Sequence, residues 1–144
     1  MRHGPQLIAY ADRLAGDLPG LGRLLDGPLS GAFDGVHVLP FFVPIDGADA
    51  GFDPIDHTAV DPRLGSWDDV GSLAGDRTVM ADLILNPVSV DSREMQDWIT
   101  GGDRSPYANL FLAPEMVFGG PTSEADVAAI PRPQPTPPFQ TIRL

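Results

Sequence analysis

The run Gly35-Val-His-Val-Leu-Pro-Phe-Phe42 constrains the fold of this chain more than any other feature, because β-branched and aromatic residues follow one another there with almost no polar interruption. A strand with one wet face alternates apolar and polar residues, whereas near-continuous apolarity suits a strand covered on both faces, the situation of a parallel sheet. Gln6–Tyr10 and Thr78–Leu85 read the same way, so three buried strands are expected. Between them lie segments with helical spacing. Leucines at 18, 21, 24 and 25 mark one helix face. Ser66 is placed to cap a second helix whose first turn holds Asp68 and Asp69 and whose inner face holds Val70 and Leu73. Ser92 is placed to cap a third helix through Glu94, Met95 and Trp98 that ends at Gly101-Gly102.

Strand and helix alternating three times implies a parallel sheet joined by right-handed crossovers. A (β/α)₈ barrel and an open doubly wound sheet both fit this order. No Gly-x-Gly-x-x-Gly follows the first strand, which removes support for a dinucleotide-binding sheet. Three strands do not close a barrel, so the third is expected to present an apolar edge that further strands would cover. After Gly120 the pattern dissolves, and Pro131, Pro133, Pro135, Pro137 and Pro138 predict an irregular, extended tail. The expected division is a partial barrel domain over 1–120 and a Pro-rich stretch over 121–144.

Charge limits the partners. With nine Lys and Arg against twenty Asp and Glu, a net charge of −11 disfavours nucleic acid and anionic membrane surfaces alike. Cysteine is absent, which excludes disulfides and thiolate metal sites. The first twelve residues lack the apolar stretch of a signal peptide, and no run approaches a membrane span, so a soluble cytoplasmic protein is expected.

The loop Pro44–Pro62 carries Asp46, Asp49, Asp53, Asp56 and Asp61 after the end of the second strand, where barrels bind their ligands. A calcium loop would need oxygen ligands at alternate positions, and Ala48, Ala50 and His57 interrupt that pattern. A sugar site needs carboxylates for hydroxyls and a ring for the C–H face of a pyranose, and Asp49 with Phe52 supplies both. Composition alone favours a third reading, in which the aspartates solvate and cap a turn-rich loop.

Four stretches carry a resemblance: Gln-Leu-Ile-Ala-Tyr-Ala-Asp-Arg (6–13), Asp-Gly-Val-His-Val-Leu-Pro-Phe-Phe (34–42), Asp-Gly-Ala-Asp-Ala-Gly-Phe-Asp-Pro-Ile-Asp-His-Thr (46–58) and Asp-Pro-Arg-Leu-Gly-Ser-Trp-Asp-Asp-Val (61–70). In this order and spacing they resemble the sucrose phosphorylases, members of the α-amylase superfamily (glycoside hydrolase family 13), and the likeness continues through Ser-Pro-Tyr-Ala-Asn-Leu-Phe-Leu (105–112) to Arg132-Pro133. The resemblance implies the N-terminal part, about three β/α units, of a TIM (β/α)₈ barrel. It implies a retaining transfer in which sucrose and phosphate give α-glucose 1-phosphate and fructose, with no metal and no cofactor. The nucleophile and acid/base of the family lie near the ends of the fourth and fifth strands, so no catalytic residue is expected on this chain, and a truncated or degenerate copy, inactive alone, is expected.

By the same resemblance Asp49 matches the aspartate that holds distal glucosyl hydroxyls, and Phe52 an aromatic at the pocket rim. Asp53, Asp56 and His57 belong to the motif with loop-organising roles, and Asn86 to the segment after the third strand. His37 and Arg13 are expected to be structural. Two departures stand out: Pro87 replaces a histidine that donates to the glucosyl unit, and Pro131 replaces a tyrosine. The implied partners are small molecules (sucrose, phosphate, glucose 1-phosphate) and, for the parent protein, a second copy in a homodimer. Phosphorylases acting on glucosylglycerol, glucosylglycerate or sucrose 6-phosphate form the alternative enzyme reading. A non-catalytic sugar-binding or interaction module is the alternative of another class.

Overall fold

The structure, a computed structural model, describes residues 4–46, 50–85 and 88–130. The chain forms two compact units, Met1–Ser92 and Arg93–Leu144. The first contains, in order, β1 (Gln6–Ala9), α1 (Ala11–Ala15), α2 (Leu18–Asp26), β2 (Gly35–Val38), β3 (Phe42–Val43), β4 (Asp56–Val60), α3 (Trp67–Leu73) and β5 (Thr78–Ala81). β1, β2 and β5 make a parallel sheet in that order, with Gln6 opposite Gly35 and Gly35 opposite Thr78.

Local chemistry explains the helices. Asp17 accepts from the Gly20 amide and starts α2, with Pro19 in the first turn, where its missing N–H costs nothing. Leu18, Leu21 and Leu25 recur on one face of α2 and are buried. Ser66 and Asp69 form a reciprocal capping box at the start of α3, with Asp69 Oδ2 accepting from the Ser66 amide at 2.8 Å. These helices cover the sheet face that carries Leu7, Val36 and Val79, and Phe41, Leu64 and Ile84 join the same core.

Burial on both faces comes near to holding for the central strand β2, where His37 alone is half-buried, and fails for its neighbours. Ile8 is 63% exposed on β1 and Met80 50% exposed on β5, both in the row that His37 occupies on β2, opposite the helices. Two expected strands are also shorter. β2 stops at Val38, and Phe42–Val43 turns away to pair antiparallel with β4, a hairpin inside the segment expected to be loop. β5 stops at Ala81, the partner of Val38, because β2 offers no ladder beyond that point, and Leu83 and Leu85 lie exposed.

The second unit holds α4 (Arg93–Gly101), a 3₁₀ turn (Gly102–Arg104), α5 (Pro114–Phe118) and α6 (Glu124–Ala129). Gly102, at φ +54°, lets the chain leave α4, as the Gly101-Gly102 pair implies. Trp98 stacks on Phe111 with ring centroids 5.3 Å apart, and the Ser105 hydroxyl donates to Asp97 at 2.6 Å. α6 is a helix where the sequence shows no pattern. Ser123 and Asp126 cap it reciprocally, with Asp126 Oδ2 accepting from the Ser123 amide at 2.9 Å. Pro131 and the proline-rich stretch after it lie outside the described residues.

Truncating Leu21, buried to 0% exposure, to Ala should cost about 3 kcal/mol in a denaturant titration, while Ser66→Ala, which removes one cap, should cost about 1 kcal/mol.

Candidate functional site

Parallel strands share one C-terminal end, and the segment that follows β2 rises from it. Phe41 and Phe42 anchor this segment in the core, their rings 4.6 Å apart, and Trp67 of α3 packs edge-on against Phe41 at 5.7 Å. The hairpin is closed by the Ile55 amide donating to the Val43 carbonyl at 2.8 Å. Phe42 faces Val60 and Val43 faces Asp56, so the intervening residues of β4, His57–Ala59, have no counterparts and bulge out of the ladder.

His57 sits in that bulge, half-buried, and donates through Nε2 to the Ile84 carbonyl. A carbonyl only accepts, so this contact places the ring proton on Nε2. The Ser89 amide donates to the Pro54 carbonyl at 3.1 Å. The hairpin is thus tied to the segment after β5 at two points, one on each side of Asn86 and Pro87, which themselves lie outside the described residues.

The other candidates fall as follows. Asp49 lies outside the described residues. Phe52 is half-buried and packs against the core. It is preceded by Gly51, which has φ +85° and so little room that an added Cβ would stand 3.1 Å from Pro40 Cβ; only glycine allows the loop to press this closely on the end of β2. Asp53 buries Oδ1 with no hydrogen-bond partner among the described residues. Asp56 is exposed and caps its own turn, accepting from the Thr58 amide at 2.7 Å and the Thr58 hydroxyl at 2.6 Å. The hydroxyl bond, more than the amide bond, holds its carboxyl below the usual range. Phe52, Asp53, Asp56 and His57 therefore share one hairpin. His37, on β2, has Nε2 3.1 Å from Asp82 Oδ1 without the alignment of a hydrogen bond, and Asp82 Oδ2 is also buried and unpartnered among the described residues. Arg13 lies over the Tyr10 ring at 3.9 Å. Among the described residues no three His, Asp or Glu side chains are grouped to hold a metal, and no helix is long and apolar enough to cross a membrane.

Sequence reasoning missed a charged cluster at the base of the hairpin. Asp61, 2% exposed, accepts from the amides of Ile45 (3.2 Å) and Arg63 (3.0 Å) and from Arg63 Nε (2.9 Å) and Nη2 (2.7 Å). The same guanidinium grips Asp46 bidentately, Nη1 to Oδ2 at 2.7 Å and Nη2 to Oδ1 at 2.9 Å. The signal available was an arginine two residues after an aspartate, next to a loop that holds five aspartates and no lysine or arginine. Hydrogen bonds from Arg63 are the largest influence on both carboxyls. They lower Asp46, and with the two amide bonds they lower Asp61 from 3.8 to about 2. The two carboxylates in turn hold Arg63 more firmly protonated.

Comparison with known proteins places the fold. No protein-family model matches the chain. Its structure superposes on the crystal structure of sucrose 6F-phosphate phosphorylase from Thermoanaerobacter thermosaccharolyticum with a TM-score of 0.84 and 32% identity, over 95% of this chain and 28% of that one. The class is thereby defined: an α/β chain with a parallel sheet, similar in fold to the TIM-barrel enzymes of glycoside hydrolase family 13. In sequence it is 55% identical over 145 residues to sucrose phosphorylase of Agrobacterium vitis, covering 100% of this chain and 30% of that protein. It is 49% identical over 140 residues to sucrose phosphorylase of Bifidobacterium adolescentis, covering 96% and 28% respectively. The chain is a sucrose phosphorylase relative that matches the N-terminal portion of that family and spans under a third of the length of these two proteins, 30% and 28%.

The cluster carries a pH signature. Asp61 binds its proton more weakly in the folded chain than in the unfolded one, so its stabilisation is complete above about pH 4 and fades as pH falls from 3.8 through about 2. The stability difference between the wild type and Asp61→Asn, measured by urea titration, should be constant from pH 7 to 5 and shrink below pH 4.

Proposed function

We propose that the Pro44–Pro62 segment forms one wall of a glucosyl pocket, in which the Asp49 carboxylate accepts hydrogen bonds from glucosyl hydroxyls and the Phe52 ring lies against the C–H face of the sugar. The observation that carries this reading is the 55% identity to a sucrose phosphorylase along the whole chain. The position of the hairpin, rising from the C-terminal end of the parallel sheet, supports it.

The parent activity on this reading is reversible phosphorolysis of sucrose by double displacement. A carboxylate attacks the anomeric carbon of the glucosyl unit and the bond to fructose breaks, while a carboxylic acid about 5 Å away gives its proton to the departing fructosyl oxygen. Phosphate then attacks the same carbon from the vacated side, the bond from that carbon to the enzyme carboxylate breaks, the acid/base recovers a proton from the phosphate, and α-glucose 1-phosphate leaves with the original anomeric configuration. On this reading neither carboxyl group is among these 144 residues. The present residues bind and orient: Asp49 and Phe52 fix the glucosyl unit, Asp53, Asp56 and His57 shape the hairpin, and Asn86 follows the third strand. The reading includes a cytoplasmic protein and a homodimeric parent.

A second acceptor is favoured by one observation. The superposed enzyme is described as acting on sucrose 6F-phosphate, so a phosphorylated fructosyl group is the alternative leaving group. Assay of a parent protein that includes these residues on sucrose and sucrose 6-phosphate separates the two by kcat/KM.

Pro87 has no N–H and no side-chain donor, so the glucosyl unit loses one hydrogen bond where the family has histidine. Pro87→His should tighten glucose binding about fivefold, the worth of one net hydrogen bond, in a calorimetric titration. The 144-residue chain alone should release no glucose 1-phosphate from sucrose and phosphate. Asp49→Asn and Phe52→Ala should each weaken glucose binding by about tenfold or more; binding that survives both substitutions would remove the assignment.

A further inference from the structure

We propose that Arg63 is a positioning residue: held from below by buried Asp61, it grips Asp46 and thereby sets the start of the segment that carries Phe52. This rests on the glucosyl reading of Phe52 given above, and it concerns residues that reading leaves without a role.

Energetics separates the two arms of the cluster. The Asp61 arm is buried, its side chain 3% exposed, and loss of its partner would strand a charge in the interior. The Asp46 arm is open to solvent, with Asp46 69% and Arg63 52% exposed, and exposed pairs of this kind contribute little to stability. Geometry is what the outer arm supplies. Both carboxylate oxygens of Asp46 are engaged by the planar guanidinium, whose own orientation is fixed by Nε and Nη2 on Asp61. A bidentate fork of this type fixes direction as well as distance.

The backbone beyond Asp46 has need of such a hold. Ala50 has φ +54° and Gly51 φ +85°, two successive left-handed residues, the first of which carries a Cβ that disfavours that conformation. Conformations of this sort persist where the surroundings over-determine them. Gly51 pressed against Pro40 fixes the far side of the turn, and Asp46, four residues before Ala50, fixes the near side. Arg63 is not free to take a phosphate, because its fork already faces two carboxylates.

Three variants of the 144-residue chain test this. Arg63→Gln also unpairs Asp61 and is expected to lower Tm. Asp46→Ala leaves the Asp61–Arg63 pair intact and is the deciding variant. In Asp46→Ala, hydrogen exchange at the Ile55 amide, which bonds Val43, and at the amides of Ala50–Phe52 should speed up about tenfold relative to wild type. Exchange at Val36 and Val38 in the sheet should stay as it was, Tm should move by less than about 2 °C, and glucose affinity should fall about tenfold. Arg63→Lys keeps the charge and loses the fork, and it should not restore wild-type exchange. Unchanged exchange at Ile55 and Ala50–Phe52 in Asp46→Ala would overturn the proposal, as would a uniform acceleration that includes Val36 and Val38, or full restoration by lysine. Absence of glucose binding in the wild type would instead count against the glucosyl reading, and the exchange data would still decide whether Arg63 positions the segment.

Discussion

Strand β2 is the member of the sheet on which every other part of the first unit is hung. Its ladder groups are taken on both sides, by β1 and by β5, and Val36 and Val38 are fully buried against the helices. A strand in this position has no solvent-facing edge to accommodate a polar error, and its N–H and C=O groups have no partner but the flanking strands. The length of β2 therefore dictates the length of β5. Where β2 stops at Val38, the ladder stops too, and the chain on either side is released to form the hairpin and the segment after Ala81. The place where the hairpin can emerge is set by the end of one four-residue strand.

What the hairpin then does is bounded by its attachments. An isolated two-stranded hairpin is marginal in water, and β3 contributes only two residues. Stability has to be borrowed, and three sources are visible. Phe41 and Phe42 bury aromatic surface with Trp67; the His57 and Ser89 hydrogen bonds fasten the hairpin to the segment after β5; and Asp61 gathers Ile45 and Arg63 at the base. Apolar burial supplies most of the free energy, and the polar contacts select among the ways the hairpin could sit on that apolar base.

The parallel sheet, the α2 face and the Ser66 cap were legible in the sequence because each depends on residues close together along the chain, read against a period of 3.6 or a run of β-branched residues. The strand limits were not. Leu39 to Phe42 and Asp82 to Leu85 are as apolar as the strands they follow, and only the absence of a pairing partner ends those strands, a fact of tertiary arrangement. The β3–β4 pairing was hidden for a related reason: Asp56 to Val60 contains Asp, His and Thr, and a bulge breaks the alternation that would mark a strand. Of the site, Asp53, Asp56 and His57 were singled out by motif and fall on one hairpin, while Asp49 and Asn86 lie outside the described residues. Arg63 escaped notice because its significance lies in Asp46, seventeen residues away, and no local pattern marks that distance.

On the proposed glucosyl reading, the Pro44–Pro62 segment poses a particular packing problem. It must keep carboxylates and a ring open to a hydrated ligand, so it has little apolar surface left with which to fix itself. Charge pairing at its base answers this, since a guanidinium and two carboxylates hold a direction while remaining compatible with water. The arrangement also explains the unequal exposure of the two aspartates. Asp61 must be buried to fix the guanidinium plane, whereas burying Asp46 as well would add a second desolvation cost without improving the aim. A cluster that keeps its outer partner wet is suited to setting the orientation of the chain that leaves it.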